Sequence, residues 1–257
     1  MLVTTTIKDG LAWVRFGTGE RGNAMTPPLR KALRDALWQI GEDAAVRAVV
    51  LEGAGEHFCG GADLHRHHKA LKEDPSSITG STRREFSPII EAVVTMPKPV
   101  VACLRGIVAG AGLGLALAAD LRLASPATRF STAFTAVGLG PDSGVSHFLP
   151  RLIGLPHATD LLLRPRIVEA REAERIGLVH EISEDVGVRA REVTSELAAG
   201  PTFAYAAVKA TLGAGQASLQ SALEVEASWQ ERAARTHDHL AAVEAFVTKA
   251  TPTYLGR

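Results

Sequence analysis

Residues 106–120 read Gly-Ile-Val-Ala-Gly-Ala-Gly-Leu-Gly-Leu-Ala-Leu-Ala-Ala-Asp, and no other stretch limits so sharply what this chain can fold into. The run follows an apolar, strand-like segment, Val100-Val-Ala-Cys-Leu104. Its alternating Gly110, Gly112 and Gly114 open a helix of small apolar residues. Glycine lets a second backbone or a ligand come close, because no Cβ stands in the way. The first N–H groups of a helix have no intrahelical acceptor, and the dipole makes that end positive. A developing oxyanion is the natural guest of such an end. A second glycine turn upstream, Phe58-Cys-Gly-Gly-Ala-Asp-Leu64, supplies a second backbone donor. Two separated donors suit an enzyme that stabilises an enolate.

The chain has 257 residues, enough for one large domain or a domain with an appendage. Its 46% apolar and 22% charged residues are those of an ordinary globular protein. Net charge is zero and there is no basic block, which argues against a nucleic-acid partner. Cys59 and Cys103 both sit in apolar segments and read as free thiols in a reducing compartment, with a disulfide as the lesser alternative. The N-terminus lacks the basic start and apolar run of a signal peptide. The longest uncharged apolar stretch, 106–119, is too short and glycine-rich to span a bilayer. The expected location is cytoplasmic, with no membrane contact.

Asp9-Gly10 between apolar-patterned segments 2–8 and 11–16 predicts a β-hairpin. Thr26-Pro27-Pro28 predicts an N-cap and the start of a helix running to about Ile40. Residues 48–52 read as a buried strand, 53–61 as a loop and 65–81 as a polar, mobile segment. A helix over 82–94 ends before Pro97-Lys-Pro99. Strands follow at 100–104 and 121–124, flanking the glycine helix, with short strands near Phe130 and Val137. Helices are expected at 145–152, 158–163 and 168–176, and a strand at 178–182. Beyond 185 only helical patterns remain, at 186–199, 202–212, 219–234 and 238–249. This predicts a strand–helix core over 1–185 and a helical region over 186–257. Strand–glycine-turn–helix units recur at 48–64 and 99–119, a degenerate repeat that points to a stacked, superhelical core.

Several tempting motifs have plainer readings. Gly110-Ala-Gly-Leu-Gly114 has G-x-G-x-G spacing and no acidic residue closing a second strand, so it is not a dinucleotide fingerprint. His65, His67 and His68 have no neighbouring cysteine and no i, i+4 partner, so solvated histidines fit better than a metal site. Asp142, in Gly140-Pro-Asp-Ser-Gly144, is either the N-cap of the following helix or a working carboxylate. His147 is placed to orient it, although a surface-helix histidine is the default. Asp120 reads as a structural end to the glycine helix.

Taken together, Arg21-Gly-Asn-Ala24, the 58–64 turn, Pro97-Lys-Pro-Val-Val-Ala102, the 106–120 helix, 138–144, 170–182 and the ending from Phe246-Val-Thr-Lys249 to Gly256-Arg257 resemble the crotonase (enoyl-CoA hydratase/isomerase) family. The resemblance implies an α/β spiral of ββα units with a C-terminal helical trimerisation region. It implies an acyl-CoA thioester substrate, a homotrimer or dimer of trimers, no metal, and no cofactor beyond the substrate's own coenzyme A. The family's two oxyanion donors fall on the N–H groups of Ala62 and Ala111, the latter usually glycine. The positions that follow the coenzyme A moiety fall on Arg21, Ala24, Gly60, Asp63, Leu64 and Lys249, with Lys249 reaching toward a neighbouring subunit's ligand. Hydratase members carry two glutamates that handle water; here those positions are Gly114 and Phe134. Asp142 stands where isomerase and dehalogenase members keep a working aspartate, whereas the dehalogenase histidine position is Ser87. An isomerase that shifts a proton from carbon 2 to carbon 4 is therefore the expected activity. The rivals are a hydratase, a dehalogenase or thioester hydrolase on the same scaffold, or a non-catalytic acyl-CoA-binding subunit.

Overall fold

Asp9 and Gly10 both take positive φ, 51° and 78°, which lets the chain reverse in two residues. The reversal joins β1 (Val3–Lys8) to β2 (Leu11–Phe16) as an antiparallel pair. The computed structural model describes residues 1–73, 81–214, 236–238, 241 and 248–257. Helix α1 (Pro27–Glu42) starts where expected: the Thr26 hydroxyl accepts from Leu29 N at 3.4 Å and two prolines fill the first turn. Its Leu29, Leu33, Leu37 and Ile40 fall at helical spacing and are all buried. Strand β3 (Ala48–Gly53), buried along its whole length, pairs in parallel with β2.

From β3 onward the chain winds. Each turn lays one strand in a six-stranded sheet and a second in a smaller sheet, then returns through a helix. The first turn is β3, a bridge at Cys59, and α2 (Leu64–Glu73). After a π-helical turn over Thr82–Phe86 comes α3 (Ser87–Thr95). The second turn is β4 (Val100–Leu104), β5 (Ile107–Ala109) and α4 (Ala111–Ala118). The third is β6 (Leu121–Ala124), β7 (Arg129–Ser131) and α5 (Val145–Ile153). Helix α6 (Leu155–Leu163), β8 (Val168–Glu169), α7 (Ala170–Arg175) and β9 (Glu181–Ile182) complete this part. The large sheet runs β1-β2-β3-β4-β6-β9 and the small one β5-β7-β8. Cys59 bridges in parallel to Val108, so the first turn joins the same stack.

Helix α8 (Val186–Ala199) covers the opposite face of the large sheet, burying Val186, Ala190 and Ala198 with Val50, Val101 and Cys103. The chain reaches that face of the sheet directly after β9. Helix α9 (Thr202–Ala214) is held through Lys209, whose Nζ lies 2.7 Å from Asp120 Oδ2. Asp120 Oδ2 also accepts from Val100 N at 2.7 Å, so this carboxylate closes the glycine helix and fastens α9 together.

Four expectations change. The polar stretch from 65 is helical as far as Glu73, because Asp63 Oδ1 accepts from His65 N and Arg66 N at 3.1 Å each. The glycine segment starts with the three residues of β5, and its helix opens at Ala111. The segment near Val137 is a 3₁₀ turn over Thr135–Val137, not a strand. Residues 168–176 divide into β8 and α7. The helices expected at 219–234 and 238–249, with Leu223, Val225, Trp229, Leu240, Val243 and Phe246, lie outside the described residues apart from 238, 241, 248 and 249.

Candidate active site

Two glycine turns meet backbone to backbone. Gly61 has φ 92° and Gly110 has φ 52°, conformations that favour glycine. Ala109 N donates to Cys59 O at 2.9 Å, Met25 N to Gly61 O at 2.8 Å and Gly60 N to Gly22 O at 2.7 Å. A Cβ at Gly61 would sit 2.9 Å from Ala109 O and 3.3 Å from Ala111 N; one at Gly112 would sit 2.3 Å from Cys59 O. The glycines are therefore a packing requirement that brings residues 61–62 against 110–111. Among the described residues, the N–H groups of Ala62 and Ala111 donate to no protein acceptor. Ala111 substitutes for glycine without strain: it is the first residue of α4 with its methyl in the core, and the special conformation falls on Gly110.

Two cavities adjoin this junction. The first, about 330 Å³, is lined by Arg21, Ala24 and Asn23 among others; the second, about 300 Å³, by Ala62, Leu64 and Asp142. Asp63 and Arg66 line both, so the cavities are neighbours. Of the residues expected along coenzyme A, Arg21 and Ala24 fall in the first cavity, Leu64 in the second and Asp63 between them. Gly60 lines neither, but its N–H fastens the turn. Lys249 is exposed in the C-terminal tail and lines neither cavity. Nor does Ala111, which reaches the junction through its backbone.

Asn23 is a positioning residue the sequence did not single out as such. It is buried with φ 55°, its Nδ2 donates to Ala54 O and His57 O at 2.8 and 2.7 Å, and its Oδ1 accepts from Gly19 N. It clips the loop carrying Arg21 and Ala24 to the loop that leads into the 58–64 turn. Asp63 acts similarly as the cap of α2.

Asp142 does not cap the next helix. Helix α5 begins at Val145 behind Gly144 (φ 77°) with no side-chain cap, and Asp142 contributes only its main-chain carbonyl, to Val145 N at 3.0 Å. Its carboxylate accepts from the Ser143 hydroxyl at 2.8 Å. Burial raises its pKa above the usual carboxylate value, and the Ser143 hydrogen bond pulls part of the way back. His147 stacks edge-on against Phe148 with ring centres 5.0 Å apart. At Gly114 a Cβ would stand 2.3 Å from Ser143 O, so the loop that carries Asp142 occupies the space any side chain there would need. Phe134 is buried in the core.

The second cavity also holds an ion pair of Arg30 and Glu85, 2.5 Å apart, which sequence spacing could not reveal because the partners are distant in the chain. His67 lines the same cavity from α2. Among the described residues no group of three or more histidine, cysteine or acidic side chains is placed to hold a metal ion. Burial pushes both thiols, Cys59 and Cys103, up to about 12, which leaves them unreactive.

Known proteins carry the same frame. The family model described as enoyl-CoA hydratase/isomerase matches residues 6–257, so the chain belongs to the enoyl-CoA hydratase/isomerase family, the crotonases. A protein of Rhodobacter capsulatus with the name "Probable enoyl-CoA hydratase" is 37% identical, covering 98% of this chain and 96% of its own. The 1,2-epoxyphenylacetyl-CoA isomerase of Escherichia coli K12 is 29% identical over 98% and 97% of the two chains. A crystal structure from Mycobacterium abscessus, described as of an enoyl-CoA hydratase/isomerase, superposes with a TM-score of 0.95 at 41% identity, covering 99% of this chain and all of the other. Relatives thus include both hydratase and isomerase names.

Proposed function

We propose that this crotonase-family enzyme is an enoyl-CoA isomerase that uses Asp142 as its proton shuttle and the N–H groups of Ala62 and Ala111 as its oxyanion hole. The observation that carries the reading is the placement of Asp142 in the cavity that Ala62 lines, while the two water-handling positions are closed. Gly114 has no room for a side chain, and Phe134 is core. Hydration needs a group that activates water as well as one that protonates carbon. A double-bond shift needs only one carboxylate, which removes a proton from carbon 2 and returns it at carbon 4. The thioester oxygen gains negative charge as the enolate forms, and the two free N–H groups meet it. One such donor is worth about 3 kcal/mol of barrier. A carboxylate with a raised pKa is better matched to returning the proton than an ordinary one.

On this reading coenzyme A lies along the first cavity past Arg21 and Ala24, and the acyl group enters the second. The enzyme works as a closed trimer or pair of trimers, Lys249 serves a neighbouring subunit's ligand, and no metal or further cofactor takes part. Among the described residues no helix is long and apolar enough to cross a membrane, which fits the proposed cytoplasmic location. The test supplies a 3-enoyl-CoA and a 2-enoyl-CoA separately. Conversion of the first without water addition to the second supports the isomerase; hydration of the second as the faster reaction overturns it. Binding without either reaction puts the non-catalytic subunit in front.

A further inference from the structure

The wall of the second cavity carries more charge than a fatty tail calls for. Arg30 Nη2 of α1 and Glu85 Oε2 of the π-helical turn are 2.5 Å apart, and both residues line the cavity with Ala62 and Asp142. The Arg30 side chain is 11% exposed, and its guanidinium carbon lies 4.4 Å from the centre of the Phe86 ring. Its Nε is buried and, among the described residues, has no hydrogen-bond partner. Ser81, Thr82 and His67 add further polar groups to the same lining. A buried donor without an acceptor is costly, and so is stripping water from an ion pair without replacing it. A hydrocarbon tail laid against this wall would do the second, and the Arg30 Nε, closed off from the cavity, gains nothing from any ligand. Methylenes gain their full transfer energy only where the surroundings are apolar, as they are at Met25, Leu64, Phe86 and Leu139 of the same lining, so the charged pair marks one point of the wall. The volume, about 300 Å³, lies at the small end of ligand sites, which suits a short acyl group.

We propose, on the acyl-CoA reading above, that Arg30 and Glu85 are specificity-determining residues that select a short acyl group bearing an oxygen function, hydroxyl or carbonyl, near its distal end. The oxygen accepts from the arginine side of the wall, and a hydroxyl can donate in return toward Glu85. Both partners of the pair keep their charges, and the ligand replaces the water that its own entry expels.

Calorimetric titration of the full-length protein with butanoyl-CoA and hexanoyl-CoA, each with and without a terminal hydroxyl, tests this without requiring turnover. At the length that reaches the pair, the hydroxylated ester should bind about five- to tenfold more tightly, the scale of one hydrogen bond. The double variant Arg30→Met/Glu85→Leu removes both charges together, an exchange that buried pairs often tolerate. In it the preference should reverse in favour of the hydrocarbon. Equal or tighter binding of the hydrocarbon esters by the unaltered protein at both lengths overturns the proposal, even if the variant fails to fold. An unchanged preference in a folded double variant overturns it as well. If none of the four esters binds, the acyl-CoA reading itself falls and takes the proposal with it.

Discussion

The glycine junction and the Asp142–Arg30–Glu85 wall face the same cavity region but are made of different material. The junction is backbone: its proposed donors are the N–H groups of Ala62 and Ala111, and its demand on the sequence is that Gly61, Gly110 and Gly112 carry no Cβ. The wall is side chain: a carboxylate in a loop and an ion pair between two helical elements. A junction of that kind can persist while side chains around it change, so it marks a family. The wall can be exchanged residue by residue, and on the proposed reading it sets which reaction and which acyl group the frame serves. Relatives named as hydratases and as an isomerase fit that division.

Adding one methyl on the glycine helix α4 should do more damage than changing most of the wall's side chains. Gly114→Ala, where the Cβ would lie 2.3 Å from Ser143 O, forces apart α4 and the loop carrying Asp142. We expect a loss of stability of about 3 kcal/mol, at the upper end for an overpacked core, read as a lower denaturant midpoint at unchanged slope. An unaffected midpoint would show that the contact is easily relieved. Gly114 also bears on chemistry, since a variant that folds with a larger residue there would reopen the hydratase reading.

The next effect belongs to the wall. With its pKa raised by burial, Asp142 acting as a base should give a kcat/KM that climbs with pH, with a midpoint above the ordinary 3.8 of an aspartate. The sign for stability is the reverse. A raised folded-state pKa means folding favours the protonated form, so that contribution is full below the unfolded value and is lost as pH rises through the folded one. Asp142→Asn should accordingly melt at a higher temperature than the unaltered protein at neutral pH. The advantage should vanish below about pH 3.8. A lower neutral Tm in the variant would assign the carboxylate a structural task.

The smallest effect is expected at Arg21, exposed on the first cavity. Arg21→Ala should weaken acyl-CoA binding a few-fold at low salt and hardly at all at high salt, because solvent-exposed charge pairs are weak and screened. Unchanged affinity at low salt removes Arg21 from the site.

How far the sequence could be read follows the same division. Glycine spacing, Asp9-Gly10 and Thr26-Pro27-Pro28 are local signals with local causes, and the hairpin, α1, β4 and the facing turns were legible from them. Helix α2 was missed because its polar composition masked the Asp63 cap, a signal that was present but short. The 3₁₀ turn at Thr135–Val137 has no period long enough to distinguish it from a strand. Asn23 as a clip between two loops, and Arg30 with Glu85, depend on contacts between distant segments that no spacing encodes. Asp142 was visible only as a choice between a cap and a working carboxylate, and the position of Gly144 at the start of α5 removes the first.

The most direct test of a lone carboxylate working against a backbone oxyanion hole is Asp142→Asn, with turnover of a 3-enoyl-CoA and binding of a saturated acyl-CoA measured on the same preparation. Turnover should fall by at least about a hundredfold, the scale of one general acid–base group, with affinity changed by no more than a few-fold. Turnover near that of the unaltered protein would contradict it and leave Asp142 without a part in the chemistry.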